Sequence, residues 1–302
     1  METTCKNCVH FGKELAPDSI FHECQILATP TIAEMSCPNF KKKRIKFSPS
    51  GLSKYRRCQR AYGLEYVEGF RPPSSTKQNY GKSVHKCLEQ WLTTGAVPDS
   101  SPEGETAKQG LLHLPPPGTA VIVEQELTFE WRPEFDFGGT PDLIVLDPAI
   151  WVYDHKTTSD LKYAKTAEQL KVDEQAQLYC LAVMLKYDVP LVNGRWIYYA
   201  ATNPTNGRRR PRGCLKVDVG FDARDPWFQD QIAKVDRDFM AMYSILTNKT
   251  PGNELPPSPE SCGMYGGCEH KFAGRCANLS NEDIFMSAMR ADEFFEAKKK
   301  IS

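Results

Sequence analysis

Two aspartates and a lysine form the sharpest chemical pattern in the chain. Asp142 closes the run Gly138-Gly139-Thr140-Pro141-Asp142, and Asp154-His155-Lys156 follows shortly after it. If the two segments are adjacent strands, their ends bring the carboxylates together, and close carboxylates attract a hard divalent cation such as Mg²⁺ or Mn²⁺. Such a cation polarises a phosphoryl oxygen and lowers the pKa of a bound water. Asp154 and Lys156 are two apart on a strand and so point to one side. Lys156 can then sit by a scissile phosphate, to position water or to stabilise developing negative charge. The plainer alternative is an aspartate beside a turn and a charged strand end.

Other polar residues fall where they could complete such a site. His85 lies on a helix predicted over 80–92, flanked by Val84 and Leu88. As a ligand it would be neutral, with its second ring nitrogen held by a neighbour; as a core residue it would simply be satisfied. Gln175 and Tyr179 are four apart, so they share a helix face and could hold a substrate strand or Lys156, unless Tyr179 belongs to the core. Glu126, on a strand predicted over 121–130, could accept a hydrogen bond or approach the cation, with Glu124 as the alternative.

The eleven cysteines fall into groups. Cys5, Cys8, Cys24 and Cys37 could hold Zn²⁺, since Cys-x2-Cys is a sound half-site, although His10 and His22 leave other combinations open. Cys262, Cys268 and Cys276 make a second, glycine-containing group that lacks a fourth thiolate. Cys87, Cys180 and Cys214 follow helix or strand spacing and read as core thiols.

The elements that must position these groups can be read from periodicity. Ser48-Pro49 opens a helix predicted over 49–67, by the N-cap and first-turn proline rule. Residues 93–119, rich in Pro, Gly and Ser, read as a long surface loop. Strands are predicted over 121–130, 138–146 and 151–156, with a turn at Asp147-Pro148-Ala149. A helix over 169–187, strands over 194–201 and 214–219, and a helix from Asp225-Pro226 to about 246 follow. Ser280 and Asp283 open a last helix in the 281–302 tail. The order fits an α/β or α+β sheet covered by helices. Three parts are expected: a cysteine-rich segment over 1–40, a main domain over 41–280, and the C-terminal helix with its basic tail.

Composition sets the bounds. In 302 residues, 40% hydrophobic and 25% charged, a core is affordable and disorder is excluded. The 38 basic and 38 acidic residues cancel, which excludes bulk electrostatic binding of nucleic acid but not a local patch. Residues 41–60 carry nine Lys or Arg and no acid, and Arg208, Arg209, Arg210 and Arg212 form a second basic run. Both could line a phosphate-binding groove, or be solvated faces. No run of 18 apolar residues suggests a membrane span, and the start of the chain has no leader pattern. A cytoplasmic protein is expected. No phosphate loop of Walker spacing is present, so any helicase would be a separate protein.

Taken in order, Ser50 to Tyr66 with Cys58, Gly81-x3-His85, Gly139-Thr140-Pro141-Asp142, Tyr153-Asp154-His155-Lys156-Thr157-Thr158 and Gln175-x3-Tyr179 resemble the motifs of the PD-(D/E)xK nuclease superfamily. The likeness is to its RecB-like branch, which includes Cas4 proteins and phage exonucleases, and spans roughly residues 48–278. The resemblance implies a restriction-endonuclease-like α/β core, a central mixed sheet flanked by helices, with cysteine-rich terminal segments. It implies a metal-dependent deoxyribonuclease, an exonuclease at DNA ends or on single strands in recombination, repair or phage DNA processing, working beside a separate helicase or recombination protein. His85, Asp142 and Asp154 would be metal ligands, with Lys156, Gln175 and Tyr179 catalytic. It also supplies the fourth thiolate: Cys58 joins Cys262, Cys268 and Cys276 around a [4Fe-4S] cluster that clamps the ends of the domain. The late cysteines here lack the close Cys-x2-Cys of those relatives, which leaves zinc open. The alternative is a non-catalytic DNA-binding or complex-building protein on the same fold.

Overall fold

The computed structural model describes residues 44–202, 210–263 and 267–276, and the backbone of strands β1 (Phe11–Glu14), β2 (Phe21–Cys24) and β3 (Thr29–Ile32). The zinc set of Cys5, Cys8, Cys24 and Cys37, the basic residues Lys41–Lys43, Arg208 and Arg209, and the C-terminal helix lie outside the described side chains. The chain divides into two units: Met1–Lys46 with Glu130–Asp136, and Phe47–Phe129 with Phe137–Ser302.

In the smaller unit, β1, β2 and β3 form an antiparallel sheet in that order. Arg44 pairs with Glu130 (2.6 Å) and Asp136 (3.0 Å) and donates to the carbonyls of Arg132 and Phe135. Its charge is engaged in holding this unit together.

The larger unit follows the short strand β4 (Ile45–Phe47) with the helix expected after Ser48, whose side chain accepts from the Gly51 amide. That helix does not run unbroken. Cys58 adopts an extended backbone (φ −164°, ψ 110°), so α1 (Pro49–Arg57) and α2 (Gln59–Tyr66) meet at an angle with Cys58 in the corner. α3 (Thr76–Thr94) starts at a reciprocal Ser75–Gln78 capping box and stops at Gly95, whose φ of +74° ends a helix at little cost.

The predicted loop over 93–119 contains a helix, α4 (Pro102–Lys108), capped by Ser101. Tyr80 fixes it: its hydroxyl lies 2.6 Å from Thr106 Oγ1 and 3.0 Å from the Pro102 carbonyl. Composition marked a loop there because Ser-Pro serves helix starts and turns alike.

The sheet comes next. β5 (Val121–Val123), β6 (Leu127–Arg132), β7 (Phe135–Gly139), β8 (Leu143–Val145) and β9 (Trp151–Thr158) precede α5 (Ala167–Lys171) and α6 (Glu174–Tyr187). β10 (Leu191–Ala201), β11 (Pro211–Asp222), α7 (Pro226–Asn248) and the short α8 (Glu269–Phe272) complete the order. The expected strand over 121–130 is broken at Glu124, which has a positive φ of 49°, and the expected helix over 169–187 is divided before Asp173, the cap of α6.

Five strands pair in the order β11-β10-β9-β8-β5, with β9 and β10 parallel and the other pairs antiparallel. This is the mixed central sheet expected. One face packs Val84, Leu88 and Trp91 of α3 against Leu143, Tyr153, Ile197 and Tyr199. α6 packs on β9 and β10. On the α1 side, Phe47 stacks on Phe239 of α7 at 5.1 Å. Among the described residues no helix is long and apolar enough to cross a membrane.

Candidate active site and cysteine seam

Strand alternation sends consecutive residues of β9 to opposite faces. Asp154 is 3% exposed and lies on the α6 side, where Gln175 Nε2 donates to its Oδ1 (3.0 Å). Lys156 Nζ is 2.6 Å from Asp154 Oδ2. Burial, reinforced by the nearby Asp142 charge, raises the Asp154 pKa even though Lys156 opposes it. Burial disfavours the Lys156 ammonium, but Asp154 and Asp142 outweigh that and hold its pKa above the ordinary value.

Tyr179 is buried, with its pKa pushed up to about 12 by burial first and by Asp154, and its hydroxyl bonds with Gln175. Its ring passes close to Gly139: a Cβ there would lie 2.8 Å from Tyr179 Cε1. The glycine of the first carboxylate motif therefore makes room for the tyrosine of the helical motif.

The other face carries His85. A Cβ on Gly81 would come 2.9 Å from Thr157 Oγ1, so the glycine lets α3 approach β9 closely, and His85 follows one turn later. Its Nδ1 is 3.2 Å from Asp142 Oδ1. Burial lowers the His85 pKa, but the bond to Asp142 and its charge prevail, and the net shift is upward. Burial likewise opposes ionisation of Asp142, yet the His85 bond, the His155 amide and the two imidazoles hold its pKa below the usual range.

Pairing register brings in a third ligand. Val123 lies opposite Leu143, so the next residue out, Glu124, faces Asp142, and the Glu124 amide donates to the Asp142 carbonyl (3.1 Å). Ligand atoms of His85, Glu124 and Asp142 all lie within 4.8 Å of one another. Glu124 therefore takes the place that sequence reasoning offered first to Glu126. Burial and the Asp142 charge push its carboxyl up to about 7. Asp154 is not in this triad; its oxygens are occupied by Lys156 and Gln175. One imidazole nitrogen and two carboxylate oxygens make a donor set that fits Mg²⁺ or Mn²⁺.

His155, between Asp154 and Lys156, was not singled out by sequence. Its amide donates to Asp142 Oδ2 (2.5 Å), its ring meets that of His85 edge-on at 5.7 Å, and its Nδ1 is 3.2 Å from the Tyr199 hydroxyl. Burial pushes its pKa down to about 4, which keeps it neutral. Its place in the middle of Asp-x-Lys was the available signal, since alternation turns that residue toward α3.

The second assembly is a seam between α2, with the α1–α2 corner, and residues 252–263 and 267–276. Gly63 and Gly252 meet so closely that a Cβ on Gly63 would lie 2.7 Å from Gly252 Cα. The Arg60 amide donates to the Pro256 carbonyl (3.2 Å), its Nε to the Leu255 carbonyl (3.1 Å), and Ser261 Oγ to the Arg57 carbonyl (2.9 Å). Buried His270 lies 2.9 Å from Glu65, which also pairs with Lys54 at 2.5 Å.

This seam brings the four expected cysteines together. Cys262 is close enough to Cys268, Cys58 and Cys276 for each to oppose its ionisation; with burial, the largest effect, they push its thiol up to about 11. The basic residues of α1 and α2 serve the fold as well: Lys54 and Arg60 act in the seam, and Arg56 pairs with Asp238 at 2.7 Å.

No curated protein matches the chain. Among solved structures it is similar to a candidate exonuclease from Eubacterium rectale, with 14% identity over 80% of this chain and 92% of that one (TM-score 0.46). It is also similar to a phage-related exonuclease from Haemophilus somnus 129PT, with 16% identity over 68% of this chain and 97% of that one (TM-score 0.32). A sequence model of the PD-(D/E)XK nuclease superfamily matches residues 46–120 and 111–276, from within β4 through the last cysteine of the seam. That match spans most of the chain and both assemblies, and the chain belongs to the PD-(D/E)XK nuclease superfamily.

Proposed function

We propose that the protein is a metal-dependent deoxyribonuclease that cuts phosphodiester bonds exonucleolytically, at DNA ends or in single strands. The observation that carries this reading is the convergence of His85, Glu124 and Asp142 within 4.8 Å, with the Asp154–Lys156 pair on the strand beside them. His85, Glu124 and Asp142 would hold Mg²⁺ or Mn²⁺, with Asp154 close enough to Asp142 to act on the same charge. When bound, the cation polarises a phosphoryl oxygen and acidifies its water.

The protein groups have separate tasks. Lys156 presents a charge that Asp154 orients, aimed at the negative charge that develops on the phosphate. Gln175 fixes the Asp154 carboxylate, and Tyr179 fixes Gln175 from one turn along α6. The His155 amide holds Asp142, and its neutral ring steadies His85.

The seam would hold a [4Fe-4S] cluster on Cys58, Cys262, Cys268 and Cys276. The mutual electrostatic influence of the four thiols supports a shared metal cofactor there, and zinc is the alternative occupant. The N-terminal four cysteines remain the proposed Zn²⁺ set, and work beside a separate helicase or recombination protein in phage or host DNA processing is the context proposed.

A time course on DNA labelled at either end, with Mg²⁺, Mn²⁺ or EDTA, tests the reading. Release of nucleotides from one end, dependent on the cation, is expected. Binding without release in either metal would move the assignment to a non-catalytic DNA-binding protein.

A further inference from the structure

The segment leaving β9 presents an aromatic ring to solvent on a rigid mount. Thr158 Oγ1 donates to the Asp160 carbonyl (3.0 Å), and the Asp160 side chain accepts from the Lys162 amide (3.0 Å), which caps a 3₁₀ turn over Leu161–Tyr163. Downstream, Lys165 pairs with Asp173, the N-cap of α6, and two residues later Gln175 grips Asp154. Both ends of the segment are thus tied to the site. Between them Tyr163 is 65% exposed, with Lys162 Nζ 5.1 Å from its ring centroid.

Lys162 keeps a loose, exposed pairing with Asp160 (3.9 Å), and further cations come from the start of β11. β9 and β10 are parallel, with Lys156 beside Tyr198 and Thr158 beside Ala200, so the turn and the start of β11 lie at one end of the sheet. Leu161 reaches Gly213: its Cδ1 is 3.5 Å from where a Cβ would stand. Exposed Arg210 and Arg212 lead directly into that glycine. From Lys156 to Tyr163 the chain can extend at most about 25 Å, a span of a few nucleotides.

A lone exposed aromatic is ordinary. Here the turn that carries the ring is hydrogen-bonded, Lys162 lies over the ring, Leu161 beside it reaches the glycine that exposed Arg212 precedes, and the ring follows the reacting end of β9. A positive track with an aromatic face is how single strands are held without sequence reading: bases stack on the ring and phosphates meet the cations. A duplex hides every base face but those of its terminal pairs, so along its length it cannot use the ring. We propose that Tyr163 is a nucleobase-stacking residue that makes the site select single-stranded DNA. The proposal rests on the nuclease reading and adds its substrate class.

The test compares wild type, Tyr163→Ala and Tyr163→Trp on oligothymidylate and on a blunt duplex of equal length. Binding is measured in EDTA and cleavage in Mn²⁺. The Trp variant, read as its difference from wild type, is expected to lose emission on adding oligothymidylate and not on adding duplex. The Ala variant should bind oligothymidylate roughly 5- to 100-fold more weakly. It should raise KM with kcat changed by less than about twofold, since stacking is uniform binding, and leave duplex binding unaltered. Unchanged affinity of Tyr163→Ala for oligothymidylate, or an equal loss on the duplex, overturns the proposal. If wild type cleaves DNA while the Ala variant is unaffected, stacking alone is refuted. If wild type neither binds nor cleaves either DNA, the nuclease reading falls and takes this proposal with it.

Discussion

At the end of β9 polar groups are held by one another's charge; at the seam between α2 and residues 252–263 and 267–276, backbone contacts frame a single Lys54–Glu65–His270 charge cluster. Lys156 offsets Asp154 and His85 offsets Asp142 within about 3 Å, a balance that offsets part of the cost of burying those charges. The seam has one such cluster, at Glu65, and otherwise meets through two glycines and carbonyl bonds from Arg60 and Ser261. Its Cys262 thiol is left far from ionisation at neutral pH. Metal at the first site would meet an ionised Asp142 but must take protons from Glu124 and His85, whose pKa values are raised, whereas metal at the second must take them from thiols. The two sites should answer differently to loss of a side chain.

The largest effect expected is at the charge-balanced site. Lys156→Ala or Asp154→Asn should reduce kcat by about 10³- to 10⁴-fold, about 4–5.5 kcal/mol, with the Kd for DNA within about threefold. Near-wild-type turnover in single-turnover assays would mean that the balanced charges serve only the fold.

Next is the seam. Cys276→Ser should remove iron from anaerobically purified protein and lower stability by about 3–5 kcal/mol, because ligation joins α2 to residues some two hundred positions away. Iron and sulfide analysis with urea unfolding checks both. Zinc without iron in the wild type would replace the cluster with zinc. Gly63→Ala probes the same seam without touching a ligand. Its methyl would meet Gly252 Cα at 2.7 Å, so a loss of about 1–3 kcal/mol is expected with the cofactor retained.

Glu124→Gln should raise the half-saturating Mn²⁺ concentration about 10- to 100-fold, while Glu126→Gln leaves it unchanged. Equal effects from the two variants would mean that the β5–β8 register does not select the ligand.

The smallest effect is a pH dependence. The Glu124 pKa of about 7 lies above its ordinary value, so the folded site holds the proton more tightly than the unfolded chain. Its contribution to stability is fully present below the unfolded pKa and declines as pH rises through about 7. The cation needs the carboxylate, so half-saturating Mn²⁺ should fall by up to about tenfold between roughly pH 6 and 8, then level off. The Glu124→Gln variant should lose that part of the profile.

Much of the site was legible because its rules are local. Alternation along a strand put Asp154 and Lys156 on one side, and helical spacing put Gln175 and Tyr179 on one face. The same rules were silent on Glu124 against Glu126, which share a parity and differ only in what lies across the sheet. They also extended one helix through Cys58, where the extended backbone occupies the corner beside the late cysteines. The basic run over 41–60 could line a groove or be a solvated face; among its described residues Arg44, Lys54, Arg56 and Arg60 have acidic or carbonyl partners, a third role that neither reading named. Charge counted along a chain does not reveal which acids will fold against it.

By itself, the sequence determined the kinds of chemistry available: carboxylates with a lysine in strand spacing, a histidine one turn after a glycine, and thiols near both ends of a core. Those depend on pleat and helical pitch, which each residue shares only with its near neighbours. The tertiary structure decided which groups meet. The β5–β8 register chose Glu124, the approach of α3 at Gly81 delivered His85 to Asp142, and the Gly63–Gly252 contact closed the seam around Cys58. Each of these is a non-local pairing, set by which faces bury apolar surface together, and no short window of the chain contains both partners.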